Sequence, residues 1–285
     1  MTDMSKLERK PILVSAVKYL FLAAITCFTL APFLFMLVSS FRPGNLMVQN
    51  GLTLDLNVKT MELANYKSMA DYSDGLYFLW FRNSVVITFL QTVGSLILSS
   101  MVGYGLAMYD FKGRTVIFTI VLVVMMIPIE ILMLPLFKLI IAFKIIDTNA
   151  GVILPFVVSP FAVFFFRQYA LGIPKDLVDS GRIDGCNEFG IFFRIIAPVL
   201  LPAFGAIAIL QAMGSWNAFV WPLIALRSNE HMTLPIGLLS LLTPYGNNYD
   251  VLLAGSVISI VPIIIVFLLN QRAFISGLTV GSVKG

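Results

Sequence analysis

Six apolar runs, each about as long as a bilayer is thick, leave this chain few folds to choose from. They occupy residues 19–40, 83–108, 116–137, 150–170, 199–223 and 251–270. A helix rises about 1.5 Å per residue, so ~20 apolar residues cross the ~30 Å hydrocarbon core. No water is available there to bond backbone N–H and C=O groups, and a helix pairs them all within itself. Composition agrees: 12% of the 285 residues are charged, against about 25% in a soluble domain. The expectation is an all-α polytopic membrane protein with six transmembrane helices. It forms a single domain, 1–285, with both termini on one side. The first run is too long for the core of a cleaved signal peptide and is followed by further spans, so it reads as a retained helix.

Basic residues orient such a chain, because cytoplasmic segments accumulate Lys and Arg. The leader 1–18 carries Lys6, Arg9, Lys10 and Lys18. With the leader inside, cytoplasmic segments hold twelve basic residues and external ones seven, which together make the chain's 19. Both termini are therefore expected in the cytoplasm. The stretch 42–81 becomes an external loop with some helix over 60–71, 171–198 a cytoplasmic loop, and 271–285 a cytoplasmic tail. The net charge of +4 does not imply a nucleic-acid partner, because basic loops serve to orient membrane proteins.

The cytoplasmic loop is a charged segment between two strongly apolar spans. Pro174 suits a first helical position, with Asp176 and Asp179 behind it at the positive helix end. Asp179 and Arg182 are three apart and can pair on one face. Gly181 and Gly185 share a face beside Ser180 and are expected to leave a shallow groove. Gly185 then stops this helix and Asn187 caps a second, running through Phe189, Phe192 and Phe193 toward Pro198. Two short helices around a glycine break make a rigid knob beside the membrane.

On these residues the loop resembles the E-A-A-x3-G-x9-I-x-L-P segment of the membrane subunits of binding-protein-dependent ABC importers. It reads Asp179-Ser180-Gly181-Arg182-Ile183-Asp184-Gly185, with Ile195-Ile196-Ala197-Pro198 downstream. Asp stands for Glu, Ser-Gly for Ala-Ala, and Ala197 for Leu. The rest of the chain is similar to the carbohydrate branch of that family. The matching segments are Asn83-Ser84, Gly103-Tyr104-Gly105-Leu106-Ala107, Phe111-Lys112-Gly113-Arg114, Ile127-Pro128, Leu134-Pro135, the run from Trp216 to Leu223, Thr233-Leu234-Pro235, and the ending from Gln271 to Gly285.

The resemblance implies an ABC type I importer permease fold and no enzymatic activity of the chain's own. It implies translocation of a sugar, an oligosaccharide or disaccharide, across a bacterial or archaeal plasma membrane. It also implies three kinds of partner: a second homologous permease, a cytoplasmic ATPase dimer, and an extracytoplasmic sugar-binding protein. No cofactor is expected on this chain, with ATP and Mg²⁺ held by the ATPase. Asp179, Ser180, Gly181, Arg182, Asp184 and Gly185 would form the ATPase-coupling segment, and the tail from Gly277 would reach the ATPase interface.

Candidate cargo contacts come from polar residues inside the spans. Thr88, Gln91, Thr92, Ser95 and Ser99 recur at helical spacing, either lining a hydrophilic path or hydrogen-bonding to a neighbouring helix. Glu130 is an acid within an apolar run, so it either faces the bundle interior or sits close enough to the external surface to stay hydrated. Asn217 and Trp216 suit hydroxyl bonding and stacking on a sugar ring, whereas Trp221 suits an interfacial anchor.

Other chemistry finds few residues. The chain has no G-x-x-x-x-G-K-[ST] phosphate loop. Its single histidine, His231, lies in a polar loop and its two cysteines are far apart, so neither a metal site nor a catalytic triad is expected. An ATP-independent carrier or channel for a small polar solute is the competing reading, with a pathway-free assembly subunit behind it. Coupled carriers commonly show internal repeats and intramembrane charges, and this chain has one such acid and no evident repeat.

Overall fold

The computed structural model describes residues 12–45, 51, 61–243 and 246–279. The leader charges Lys6, Arg9 and Lys10, the loop residue Lys59 and the tail from residue 280 lie outside the described residues. Two compact units are resolved, one of Met1–Asp71 with Thr243–Ile258, the other of Tyr72–Leu242 with Ser259–Gly285.

The first unit contains α1 (Ile12–Ser39) and α2 (Ala64–Asp71). The apolar stretch of α1 has no buried residue, as expected of a helix meant for a hydrocarbon surround. Its carboxyl-terminal end is fastened by Asn65, whose Nδ2 donates to Ser40 O at 2.9 Å and to Arg42 O at 2.7 Å. Tyr66 adds a hydroxyl contact to Ser40 Oγ at 2.8 Å and a ring contact to Phe41 at 5.2 Å. Asp250, in the first turn of the last helix, accepts from Gly44 N.

The second unit is built around α3 (Leu76–Met108), which begins earlier than the expected 83 and runs 33 residues. After a turn at 109–113 come α4 (Arg114–Met126) and α5 (Ile129–Ala142), then α6 (Asn149–Ile153) with its 3-10 extension Leu154–Phe156, and α7 (Pro160–Ala170). The knob follows as α8 (Asp176–Ile183) and α9 (Glu188–Ile191). The latter continues through a π-helical turn, Phe192–Ile196, to Val199. Then come α10 (Leu201–Trp216), α11 (Val220–Ala225) and α12 (Leu234–Ser240), and the chain closes with α13 (Tyr249–Thr279). Two short strands, Leu242–Thr243 and Gly246–Asn247, precede α13. The described helix α13 extends past the expected end at 270, through Pro262.

Among the described residues three helices are long and apolar enough to cross a membrane alone, and up to six spans result when each bent pair counts as one. The expected continuous spans are therefore corrected at three places. The third is bent by 106° between α4 and α5, and the fourth by 41° between α6 and α7. The fifth starts after an 81° bend at Leu200 and ends at Trp216, short of 223. Proline explains the first two. It lacks an N–H and drives the preceding residue out of helical geometry. Ile127 before Pro128 has φ −80° and ψ 120°, and Ser159 before Pro160 has φ −94° and ψ 119°. Ser159 compensates by capping α7, accepting from Ala162 N at 3.3 Å.

Packing is densest where α3 meets α7 and α10. At the knob end, Tyr104, Phe166, Ile191, Phe192, Ile196 and Leu200 share one buried cluster. Toward the other end of α3, Ile87 packs with Val152, Ile153, Trp221, Ala225 and Ile236. Gly103 permits the α3–α7 contact: a Cβ there would lie 2.8 Å from both Phe166 Cβ and Arg167 N. Backbone cannot yield as a flexible side chain does, so Gly103→Ala should force the helices apart. Overpacking of this kind typically destabilises by about 1–3 kcal/mol, and a lower thermal midpoint in detergent would register it.

Candidate coupling knob and transmembrane cavity

The knob is held in one shape by its own residues. Gly185 has φ +79°, a left-handed conformation that only glycine adopts freely. Gly185 N donates to Arg182 O at 3.0 Å and Cys186 N to Gly181 O at 2.9 Å, closing α8 in a Schellman turn. Asn187 caps α9 through Oδ1, which accepts from Gly190 N at 2.7 Å, as its position foretells. Helix α8 starts two residues beyond Pro174, at Asp176.

Gly181 has a different role from the expected groove. A Cβ at this position would lie 2.7 Å from Ile195 Cδ1 and 3.0 Å from Ile191 Cγ1. Its bare face is therefore filled by the following helix, which locks the two halves of the knob together. The expected Asp179–Arg182 pair is present, with Arg182 NH1 3.1 Å from Asp179 Oδ1. Arg182 Nε also donates to Glu188 Oε1 at 2.9 Å. Ser180 Oγ donates to Asp176 O at 2.7 Å, within α8. Asp184 is the C-cap residue, and Ile183 beside it is 86% exposed at the outer tip.

The knob is fastened to α3 through Tyr109, just past that helix. Its hydroxyl donates to Glu188 Oε2, and its ring packs edge-on to Tyr104 at 5.4 Å. Bonds from Arg182 and Tyr109 hold the Glu188 carboxyl below the usual carboxylate range. Burial, together with the Glu188 bond, pushes the Tyr109 hydroxyl up, so it stays protonated and donating. Asp110 adds a second tie, 3.5 Å from Lys175 Nζ and 2.6 Å from Arg114 NH1. These exposed pairs contribute little stability each, but they join both ends of the knob to one turn.

Three residues of the polar stripe on α3 are bonded to its neighbours, whereas the Thr88 and Thr92 hydroxyls are buried without a partner among the described residues. Ser95 and Ser99 are fully buried. Ser95 Oγ accepts from Gln211 Nε2 of α10 at 2.8 Å, and Ser99 Oγ from Ser159 N at 3.2 Å. Gln91 Oε1 accepts from Ser215 Oγ at 3.1 Å. Beside this seam is a cavity of about 660 Å³, whose wall includes Gln91, Gln211, Ser215, Ser159, Phe156 and Trp221.

Of the five expected cargo contacts, only Gln91 lies in that wall. Ser95 is used up between helices. Glu130 is exposed in the first turn of α5, beside the Pro128 break, and does not line that cavity. Asn217 is an exposed residue at the end of α10, its amide turned back to Met213 O at 2.9 Å. Trp216 is buried and donates to Ser259 O at 3.1 Å. It lines a separate, smaller cavity of about 360 Å³. Trp221, expected as an interfacial anchor, is buried with its indole N–H on Gly151 O at 3.2 Å. Sequence reasoning passed over Gln211 and Ser215, although an amide and a hydroxyl four apart in an apolar helix share a face.

Outside the spans, the 227–234 segment is fastened to α3 and to the α5–α6 turn. Asn83 Nδ2 donates to Glu230 O and Met232 O at 2.7 and 3.1 Å, and Trp80 Nε1 to Asn229 O at 2.8 Å. Asp147 accepts from Arg227 N and Ser228 N at 2.8 and 3.2 Å, and lies 3.3 Å from His231 Nδ1. Burial opposes ionisation of Asp147, but these bonds, led by the Ser228 hydroxyl, prevail and lower its pKa to about 2. Among the described residues no cluster of His, Cys, Asp and Glu could hold a metal ion.

A helical membrane unit with broken spans and a rigid knob is the architecture of a transporter permease. A family model described as "Binding-protein-dependent transport system inner membrane component" matches residues 95–278. The chain is 58% identical over 266 residues to the arabinooligosaccharides transport system permease protein AraQ of Bacillus subtilis, covering 93% of this chain and 94% of that protein. It is 31% identical to the lactose transport system permease protein LacG of Rhizobium radiobacter, covering 99% and 100%. Its fold matches a crystal structure of a bacterial ABC transporter involved in the import of alginate, with TM-score 0.82, 24% identity, and coverage of 93% of this chain and 98% of that one.

The chain belongs to the family of binding-protein-dependent transport system inner membrane components. It is a multi-pass permease subunit of an ABC importer, not an enzyme, and works with an ATPase and a substrate-binding protein.

The folded-state pKa of Asp147 lies below its unfolded value. Its stabilisation is therefore complete above about pH 4 and lost as pH falls through about 2. Thermal denaturation between pH 2 and 6 should show this loss, and Asp147→Asn should flatten that part of the profile.

Proposed function

We propose that this permease imports an arabinose-containing oligosaccharide and that the knob at Asp179–Gly185 is where the ATPase drives it. The cargo class is supported by the 58% identity to the arabinooligosaccharide permease over nearly the full length of both chains. A second, homologous permease completes the pathway. ATP and Mg²⁺ are held by a cytoplasmic ATPase dimer, since this chain carries no phosphate loop.

The observation that carries the coupling role is the knob's rigidity. Gly185, Gly181 and the Arg182–Glu188 bond fix its shape, Tyr109 joins it to α3, and an apolar residue, Ile183, stands exposed at its tip. Closure of the ATPase dimer on ATP displaces the knob as one body. The Tyr109–Glu188 bond and the buried Tyr104–Phe192 contact then pass the displacement to α3. Alternating access needs such a lever acting on a bistable partner.

Gly185→Trp should uncouple the importer. The substitution places a bulky side chain at φ +79°, a conformation that L side chains resist. In proteoliposomes holding the complete importer, uptake should fall at least about tenfold while ATP hydrolysis persists. An unchanged ratio of sugar imported to ATP hydrolysed would remove the lever from this account.

A further inference from the structure

Three chain breaks meet at the 660 Å³ cavity. Its wall includes Ile127 and Ile129 on either side of Pro128, Val158 and Ser159 before α7, and Ala218 between α10 and α11. Their depth follows from helix rise, counted from the end bearing the knob. The α4–α5 break is about 20 Å from Arg114 and the break before α7 about 17 Å from Ala170. Gln211 is about 15 Å along α10 and Gln91 about 26 Å along α3. Each of these distances is shorter than the ~30 Å thickness of a hydrocarbon core. Non-helical backbone at that depth persists only where protein or a wet cavity satisfies it.

The wall's polar chemistry is specific. Gln91 uses its amide oxygen on Ser215, and Gln211 its amide nitrogen on Ser95. Each amide is thereby anchored at one atom. The Gln91 amide nitrogen and the Gln211 amide oxygen have no protein partner among the described residues. A donor pair and an acceptor, on adjacent helices and already oriented, match the donor-and-acceptor character of a hydroxyl group. Phe156, Phe161 and Trp221 supply the apolar part of the same wall. A mostly apolar pocket with a few fixed polar groups is the usual form of a small-molecule site, and 660 Å³ lies within the usual 300–1,000 Å³ range.

We propose that this cavity is a sugar-contact site within the membrane, in which the Gln91 and Gln211 amides bond cargo hydroxyls beside the Phe156, Phe161 and Trp221 side chains. The inference rests on the sugar cargo assigned above and adds that this subunit itself holds the cargo in transit. Because Gln91 and Ser95 are on α3, motion passed from the knob acts on the same helix that grips the sugar.

The test uses the complete importer in proteoliposomes, with Cys27 and Cys186 replaced by Ala. Ala218→Cys puts a small thiol in the wall, and Ile97→Cys, exposed on α3 but absent from the wall, is the control. A charged, water-borne thiol reagent should label position 218 and leave 97 unlabelled. Arabinotriose, supplied with binding protein and ATP, should slow labelling at 218 at least about threefold. Gln211→Leu should lower uptake at least about tenfold, and Gln211→Glu, which retains the acceptor, should lose less. Position 218 unlabelled in every state overturns the proposal. So does labelling that arabinotriose leaves unchanged in an importer that transports it. An importer that does not transport arabinotriose overturns the cargo assignment, and the site with it, whatever the label shows.

Discussion

In a bilayer a backbone N–H or C=O without a partner costs several kcal/mol, and much of this structure can be read as an answer to that constraint. Each break replaces helical hydrogen bonds with something else. Ser159 caps α7 with its own hydroxyl, Ser99 reaches over from α3 to accept from Ser159 N, and Asn217 turns its amide back onto α10. The breaks at Pro128, before α7 and after α10 gather around one cavity. A chain designed only to span a membrane would have no reason to bring two broken spans and the end of a third to one cavity. A chain that must pass a hydrated solute has one, because irregular backbone brings polar groups to the centre of an otherwise apolar bundle.

One helix joins the cavity to the knob. Helix α3 runs without a break from Leu76 to Met108. It carries the seam to α10 along its length and ends at the Tyr109 bond to the knob. Displacement of the knob therefore reaches the Gln91–Ser215 and Ser95–Gln211 contacts through a single rigid element. The knob resists deformation for local reasons: a left-handed glycine at 185, a missing side chain at 181 filled by Ile191 and Ile195, and Arg182 bonded on both sides. In the proposed coupling, rigidity at the knob and hydrogen bonds at the α3–α10 seam are what would make the lever's movement definite.

The class of fold was legible because hydropathy over ~20 residues states the bilayer requirement directly. The knob was legible for a different reason: Gly185, Asn187 and the Asp179–Arg182 spacing are local signals, and local hydrogen bonds fulfilled them. What the sequence hid depends on contacts across the bundle. Prolines at 128 and 160 announced kinks, but not that one would reach 106°. Glu130 and Asn217 drew attention by polarity, yet both sit at helix ends, where a polar side chain needs no cavity. Gln211 and Ser215 carried the helical spacing that placed them on one face, and only the packing of α10 on α3 shows what that face meets. Glu188 and Tyr109 are 79 residues apart, and no periodicity links them.

The central claim is that an ATPase drives this permease through the tip of its knob. The most direct measurement is isolation of the tagged chain from its native membrane in mild detergent, with co-purifying proteins identified by mass, for the unsubstituted chain and for Ile183→Asp. The exposed tip makes no contribution to the buried core of the knob, so the variant should fold. The account predicts that an ATPase and a second permease accompany the unsubstituted chain, and that Ile183→Asp loses the ATPase while keeping the permease. An ATPase retained equally by both chains, or absent from both, would contradict it.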